Sequence, residues 1–222
     1  MFTRIQVIGS GRAGGALAGR LRERGCERDA PEPERVLLCV PAGAIAVVAA
    51  GIAPGPWVAH VSGATPLAAL APHKRRFGVH PLQTFTRGRG PEQLDGAWAA
   101  VTAETDEARA AGISLAETLG LRPFALDDAA RTLYHAGAVF ASNYIVTLQR
   151  AAAILFESAG APPEAFEPLM RRTIENGFEL TGPISRGDWA TVQAHKRAIH
   201  AEHPDLERLY ETLADATFAL AT

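Results

Sequence analysis

Apolar positions in the first half of the chain switch repeatedly between two patterns. Residues 4–8 and 57–61 read as strands, and the continuous apolar run at 35–40 suits a strand buried in a parallel sheet. Between them, residues 11–24 place Ala16, Leu17 and Leu21 at helical spacing, and residues 42–50 form a small-residue helix. Thr65-Pro66 opens a further short helix, where proline suits the first helical position. Residues 77–79 and 97–101 are two more strands, 106–119 a helix and 123–126 a last short strand. Strands alternating with helices predict an α/β domain around a parallel sheet.

Beyond Asp127 the strand pattern stops. Residues 127–159 read as one alanine-rich helix, ended by Gly160 and Pro162-Pro163. A second helix covers residues 164–180, a Gly- and Pro-containing loop covers 181–188, and two more helices part near His203-Pro204. The expected organisation is an α/β domain over residues 1–126 and an all-α C-terminal domain over 127–222.

Composition narrows the partners. The chain has 222 residues and a formal net charge of −2, with 47% hydrophobic and 21% charged residues. That is enough chain for a substantial core, and it gives no electrostatic case for nucleic acid or an anionic membrane as partner. No continuous apolar run reaches the roughly 20 residues of a membrane span. The first residues run straight into a glycine motif and read as a strand, without a cleavable signal pattern. Cys26 and Cys39 lack metal-ligand spacing and read as reduced structural thiols. A cytoplasmic protein acting on a small molecule, with no metal, is the expectation.

The glycine motif is Gly9-Ser10-Gly11-Arg12-Ala13-Gly14. It fits G-x-G-x-x-G in the required context, after a strand and at the opening of a helix. The first glycine permits the tight turn, the second lets a pyrophosphate approach the backbone, and the third lets helix and strand pack closely. The helix N-terminus then offers free N–H groups to the phosphates. These six residues are the candidate cofactor site, with Val40, Pro41 and Ser62 at the ends of the next strands. The expected cofactor is NADP or NAD.

A usual dinucleotide fold continues with a second strand, whose end carries an acidic residue for the ribose about 20 residues past the glycines. Here residues 26–34 contain two prolines and no apolar run, so the second strand and its helix are read as missing or reduced to a stub. Arg28 or Asp29 is left to stand in at the ribose. The first strand would then lie at or near a sheet edge, which must be covered or paired.

Residues suited to chemistry sit at strand ends and on the first C-terminal helix. His80, after the strand at 77–79, titrates near neutrality; its competing role is a turn residue fixed by Pro81. His135 and Ser142 are seven apart and share a helix face, with Asn143 beside them. A carbonyl substrate needs a proton donor and an orienting amide, which His135 and Asn143 would supply. Hydrogen bonding between helices is the structural alternative for this set. Arg186, in the 181–188 loop, would hold a substrate carboxylate, with Ser185 and Ser142 as further substrate-binding candidates. The loop's plainer role is a helix connection with Asp188 as cap.

Three segments, Gly78 to Phe85, His135 to Tyr144 and Leu180 to Asp188, resemble a bacterial family that joins a Rossmann-like domain to a C-terminal helical domain of unknown function. The resemblance covers nearly the whole chain. The family is similar in layout to 6-phosphogluconate dehydrogenase-like proteins, pyrroline-5-carboxylate reductase, deazaflavin-dependent NADP reductases and ketopantoate reductase. It implies NAD(P)H-dependent reduction of a small carbonyl or imine, with a ketopantoate reductase-like activity among the options, and a homodimer through the helical domain. Two features depart from it: the stub at 26–34, and the absence of any lysine in residues 127–159 to match the acid of ketopantoate reductases. The alternative is a degenerate Rossmann module that binds a nucleotide or metabolite without redox turnover.

Overall fold

A computed structural model describes residues 2–28 and 30–221, with Arg28 and Pro163 described by backbone alone. By their internal contacts these residues form two compact units, one ending at Ser142 and the other beginning at Asn143.

In the first unit, β1 (Arg4–Ile8) turns through the glycine motif into α1 (Arg12–Glu23). The chain continues through β2 (Glu27–Arg28), β3 (Arg35–Leu38), α2 (Ile45–Ala50), β4 (Trp57–His60) and β5 (Arg76–Leu82). It ends with β6 (Trp98–Thr102), α3 (Asp106–Thr118), β7 (Arg122–Ala125) and α4 (Arg131–Ala141). The strands form one 7-stranded sheet in the order β2-β1-β3-β4-β5-β6-β7. This is the Rossmann-like arrangement, with order reversing at β1, where the chain goes first to β2 on one side and then to β3 on the other.

The second strand is reduced rather than missing. β2 pairs in parallel with β1 only at Arg4 and Ile5, so it covers the first part of the β1 edge. Asp29, one of the two ribose candidates, lies outside the described residues, as does the side chain of Arg28.

The sheet departs from all-parallel at one pairing. β5 and β6 run antiparallel, and β6 and β7 are parallel to each other. The connection between β5 and β6, residues 83–97, carries a short 3-10 turn (Pro91–Leu94). β5 is also longer than its apolar run. His80, Pro81 and Leu82 continue the strand against β6, which corrects the reading of this segment as one that follows the strand. Pro81 is tolerated because β4 pairs with β5 only as far as Gly78 and asks for no amide from it.

Side chains alternate across the sheet and bury two cores. One face packs Ile5, Leu37, Ala59, Phe77, Val79 and Val101 under α1 and α3. The other packs Val36, Leu38 and Val58 under α2 and the 3-10 turn at Leu67–Leu70. By the same alternation His60, Gly78, His80 and Thr102 point to this second face.

The second unit contains α5 (Asn143–Ser158), α6 (Glu167–Glu175), α7 (Trp189–Glu202) and α8 (Pro204–Ala221). α7 and α8 are joined by Trp189 against Phe218, with ring centroids 5.1 Å apart, and by His195 Nδ1 to the Tyr210 hydroxyl at 2.9 Å. Asp188 caps α7 by accepting from the Thr191 amide at 3.1 Å and the Thr191 hydroxyl at 2.7 Å. Asp188→Ala is expected to lower the midpoint of chemical denaturation; an unchanged midpoint would mean that the cap contributes nothing.

The helical run expected over 127–159 is interrupted. Ser142 (φ −132, ψ −68) breaks it between α4 and α5. Within Asp128–Ser158 an 18-residue stretch of mean hydropathy 1.3 nonetheless meets the size and composition of a membrane span.

Candidate functional site

The last aligned row across the four parallel strands is Ile8, Leu38, His60 and Gly78. Two residues further along each chain come Ser10, Val40, Ser62 and His80. These lie on the carboxyl rim, where open α/β sheets bind ligands. From β1 to β5 is three strand spacings, about 14 Å.

At the β1 end of the rim the glycines have separable reasons. Gly9 adopts φ +112, and a Cβ there would run into the Cys39 carbonyl group. A Cβ on Gly14 would run into the Gly9 carbonyl oxygen and lie 3.0 Å from the Cys39 side chain. The turn and the close packing of α1 on β3 therefore demand these two. Gly11 is different: a Cβ there would meet nothing within 4 Å. Packing does not explain its bareness, whereas a pyrophosphate approaching the backbone does. The α1 N-terminus has no side-chain cap and no acidic residue in its first turn, so no side chain would compete with an anion for its amides. Ser10 and Arg12 are exposed beside this opening, and Ala13 is half-buried. Val40 and Pro41 follow β3, with Pro41 exposed at the start of the next turn. The residues present fit a dinucleotide pyrophosphate.

At the β4–β5 end, α4 lays one face on the sheet. Arg131, Tyr134, His135 and Ala138 recur at helical spacing and share that face. The surface beneath them is built from small residues. A Cβ on Gly78 would lie 2.9 Å from Arg131 Nη1, and one on Gly63 would lie 2.5 Å from His135 Nδ1 and 3.0 Å from His80 Nε2. Ala100 stands opposite His80 in the β5–β6 ladder. The missing side chains are what admit the guanidinium and the two imidazoles.

Arg131, only 1% exposed, ties three strands together. It donates to the Thr102 hydroxyl on β6 at 2.7 Å and to the Ser62 carbonyl just past β4, while crossing Gly78 of β5. Its nearest carboxylate, Asp128, is 4.0 Å from Nε, and Asp128 also accepts from the Leu67 amide at 3.0 Å. The Ser62 hydroxyl is engaged within its own turn, accepting from the Thr65 amide at 3.2 Å and bonding the Thr65 hydroxyl at 2.7 Å.

His80 Nδ1 lies 2.8 Å from the Tyr134 hydroxyl. The His80 and His135 rings meet edge to face at 5.8 Å. Burial, with His135 and Arg131 adding to it, holds the His80 pKa down to about 4. His60 is buried beneath, and burial followed by the Arg131 charge pushes it down to about 3. Burial raises Tyr134 to about 12, against a lowering by Arg131. At neutral pH His80 and His60 are therefore neutral and Tyr134 is protonated, beside a buried cation.

The structure thus brings His80 and His135 together, with Ser62 next to them. Ser142 ends α4 and its hydroxyl donates to the Ala138 carbonyl at 2.7 Å. Asn143 begins α5 in the second unit. Ser185 and Arg186 are exposed in that unit's loop, where the Ser185 hydroxyl donates to the Gly182 carbonyl at 3.0 Å. Sequence reasoning missed Arg131, Tyr134 and His60. Two signals were available: the i, i+3, i+4 spacing of Arg131, Tyr134 and His135, and a lone histidine inside the apolar run Val58-Ala59-His60-Val61.

A family model described as a domain of unknown function (DUF2520) matches residues 97–217. The chain belongs to the DUF2520 family. That match takes in β6, β7, α4 and most of the second unit, and so includes Arg131, Tyr134 and His135. No protein of curated function matches the sequence. Among solved structures, the DUF2520 chain is similar to BF3122 from Bacteroides fragilis, described as an NADP oxidoreductase, at 24% identity and TM-score 0.83, covering 98% of each chain. It is similar to protein TM1727 from Thermotoga maritima at 21% identity and TM-score 0.77, again over 98% of each. It is also similar to 1-pyrroline-5-carboxylate reductase from Streptococcus pyogenes at 15% identity and TM-score 0.63, over 98% of this chain and 97% of that one. At these identities the likeness shows a shared fold.

Proposed function

We propose that this DUF2520 protein is a cytoplasmic NAD(P)H-dependent oxidoreductase that reduces a small carbonyl or imine compound, ketopantoate and related keto acids being the first substrates to try. The observation that carries the reading is the shared rim: a glycine turn shaped for a pyrophosphate, and about 14 Å along the same edge a histidine pair at His80 and His135. When bound, the nicotinamide supplies the hydride. The protein's part is to seat the phosphates on the Gly9–Gly14 turn and to deliver a proton from the histidine cluster to the reduced substrate atom.

A homodimer is part of the proposal. α5 buries none of its residues within the chain, yet Tyr144, Ile145, Val146, Leu148 and Ile154 are exposed on it. A second copy of the chain would cover this apolar surface, which otherwise faces water at a cost.

The test is oxidation of NADPH and NADH at 340 nm with a panel of small keto acids, ketopantoate first. Turnover is expected with at least one compound. His80→Ala and His135→Ala should each lower kcat by roughly 10²-fold or more, the usual worth of a positioned proton donor. Full turnover in His135→Ala would remove that residue from the chemistry. Tight dinucleotide binding with no turnover on any compound would favour a binding module instead.

A further inference from the structure

We propose that Tyr134, acting through His80, is the reservoir for the proton used in the reduction, and that Arg131 is the positioning residue that holds the pair. This rests on the oxidoreductase reading above.

The geometry gives each group one place. The Tyr134 ring packs edge to face on Phe124 at 6.0 Å and on His80 at 5.5 Å, which points its hydroxyl at His80 Nδ1, 2.8 Å away. The His80 Nε2 side faces Gly63 and His135 at the carboxyl rim. Arg131 sits under the pair with one hand on the Ser62 carbonyl and the other on Thr102. It thereby fixes the turn that carries Gly63, against which both imidazoles rest.

The charges decide which group holds the proton. The titratable and charged groups facing His80 are Tyr134, His135 and Arg131 from α4, and His60 from β4. Asp128 faces Arg131. With a buried guanidinium close by, a second positive charge on the imidazole is disfavoured, so His80 is neutral at pH 7 and cannot store the proton as an imidazolium. A neutral imidazole has one N–H and one lone pair. If Nδ1 accepts from the Tyr134 O–H, the N–H must be on Nε2, toward the rim.

The step then balances. In the reduction that a bound NAD(P)H would drive, the substrate oxygen would take the His80 Nε2 proton, and His80 Nδ1 would take the Tyr134 proton. One N–H and one O–H bond break, and one O–H and one N–H bond form. The phenolate left on Tyr134, stabilised by Arg131, takes its proton back from His80 Nδ1 as Nε2 takes one from water at the rim, which restores the Nε2–H tautomer. The phenol's high pKa is no bar, because the receiving alkoxide is far more basic than a phenolate.

The proposal predicts a tautomer, which long-range proton–nitrogen NMR of ¹⁵N-labelled histidine side chains reads directly. His80 is assigned by the signals lost in His80→Gln. In the wild type, His80 is expected as the single Nε2–H tautomer from pH 8 down to pH 5.5. Tyr134→Phe keeps the ring packing and should retain the fold by circular dichroism, but the two His80 nitrogen signals should converge as the tautomers mix. Arg131→Lys should also lose the single tautomer, because one ammonium cannot hold Ser62 and Thr102 together. The proposal is overturned if wild-type His80 is an imidazolium at pH 6.5, if Nδ1 carries the proton, or if Tyr134→Phe leaves the tautomer unchanged. NADPH titration of the same wild-type sample separates the two levels. Binding with the wrong tautomer sinks the Tyr134 assignment alone, whereas no binding sinks the oxidoreductase reading and this inference with it.

Discussion

The unfolding free energy is expected to fall by about 4 kcal/mol between pH 7 and pH 5. The cause is two histidines that the fold keeps neutral. Burial and the Arg131 charge hold His60 at about 3, and burial with His135 and Arg131 holds His80 at about 4, both from an ordinary value of 6.5. A lowered folded pKa means that the unfolded chain takes up the proton first. The stability is therefore fully present above pH 6.5 and is lost as pH falls through the window from 6.5 to 4 for His80, and on to 3 for His60. At pH 5 the unfolded chain gains about 2 kcal/mol from each ring. His200, held up by Glu207 at 2.8 Å, works in the opposite direction, but it is solvent-exposed and screened. Urea denaturation across this range checks the sum. His60→Asn should remove about half of the loss, roughly 2 kcal/mol. A stability that stays flat from pH 7 to 5 would mean that the two rings are not buried and neutral as described.

The glycine turn yields a pair of variants with opposite signatures. Gly14→Ala should destabilise by about 3 kcal/mol, because its methyl group has nowhere to go but into the Gly9 carbonyl oxygen. Gly11→Asp should do the reverse to the fold. A side chain there meets nothing, the backbone is extended (φ −67, ψ −173), and a carboxylate would cap α1. It is expected to stabilise by about 0.5–1 kcal/mol. Yet the same carboxylate occupies the space left for a pyrophosphate and repels it, so the Kd for NADPH should rise at least 100-fold, about 2.7 kcal/mol. A variant that is more stable and no longer binds separates ligand recognition from folding. Unchanged NADPH affinity in Gly11→Asp would remove Gly11 from the cofactor site.

Much of the first unit could be read from the sequence because its signals are local. β1 occupies the residues, 4–8, that read as a strand, and α1 and α3 fall within their predicted spans. What escaped depends on neighbours. β2 has no apolar run, since two polar residues, Glu27 and Arg28, need only the free β1 edge to become a strand. His80-Pro81-Leu82 looks like a strand terminator, but it continues β5 because β4 has already ended and only β6 needs pairing. The β6 direction is not legible from the connections, since residues 61–75 and 83–97 each carry one short 3-10 turn, yet β4 and β5 are parallel whereas β5 and β6 are antiparallel. The site divides in the same way. Motif context points to Gly9, Gly11 and Gly14, and strand-end logic points to His80. Arg131 looks like an ordinary polar residue at a helix start until the bare backbone at Gly78 and the turn at Ser62 are seen beneath it. Tyr134 becomes a candidate only once its hydroxyl is seen on His80.

The central claim is that this shortened Rossmann-like unit holds a nicotinamide dinucleotide on the Gly9–Gly14 turn. Titration of the purified full-length protein with NADPH and NADH, followed by nicotinamide fluorescence, tests it most directly. The account predicts saturable binding of at least one of them with a Kd near micromolar, about −8 kcal/mol, abolished in Gly11→Asp. Absence of saturable binding for both dinucleotides, with the protein folded by circular dichroism, would contradict it.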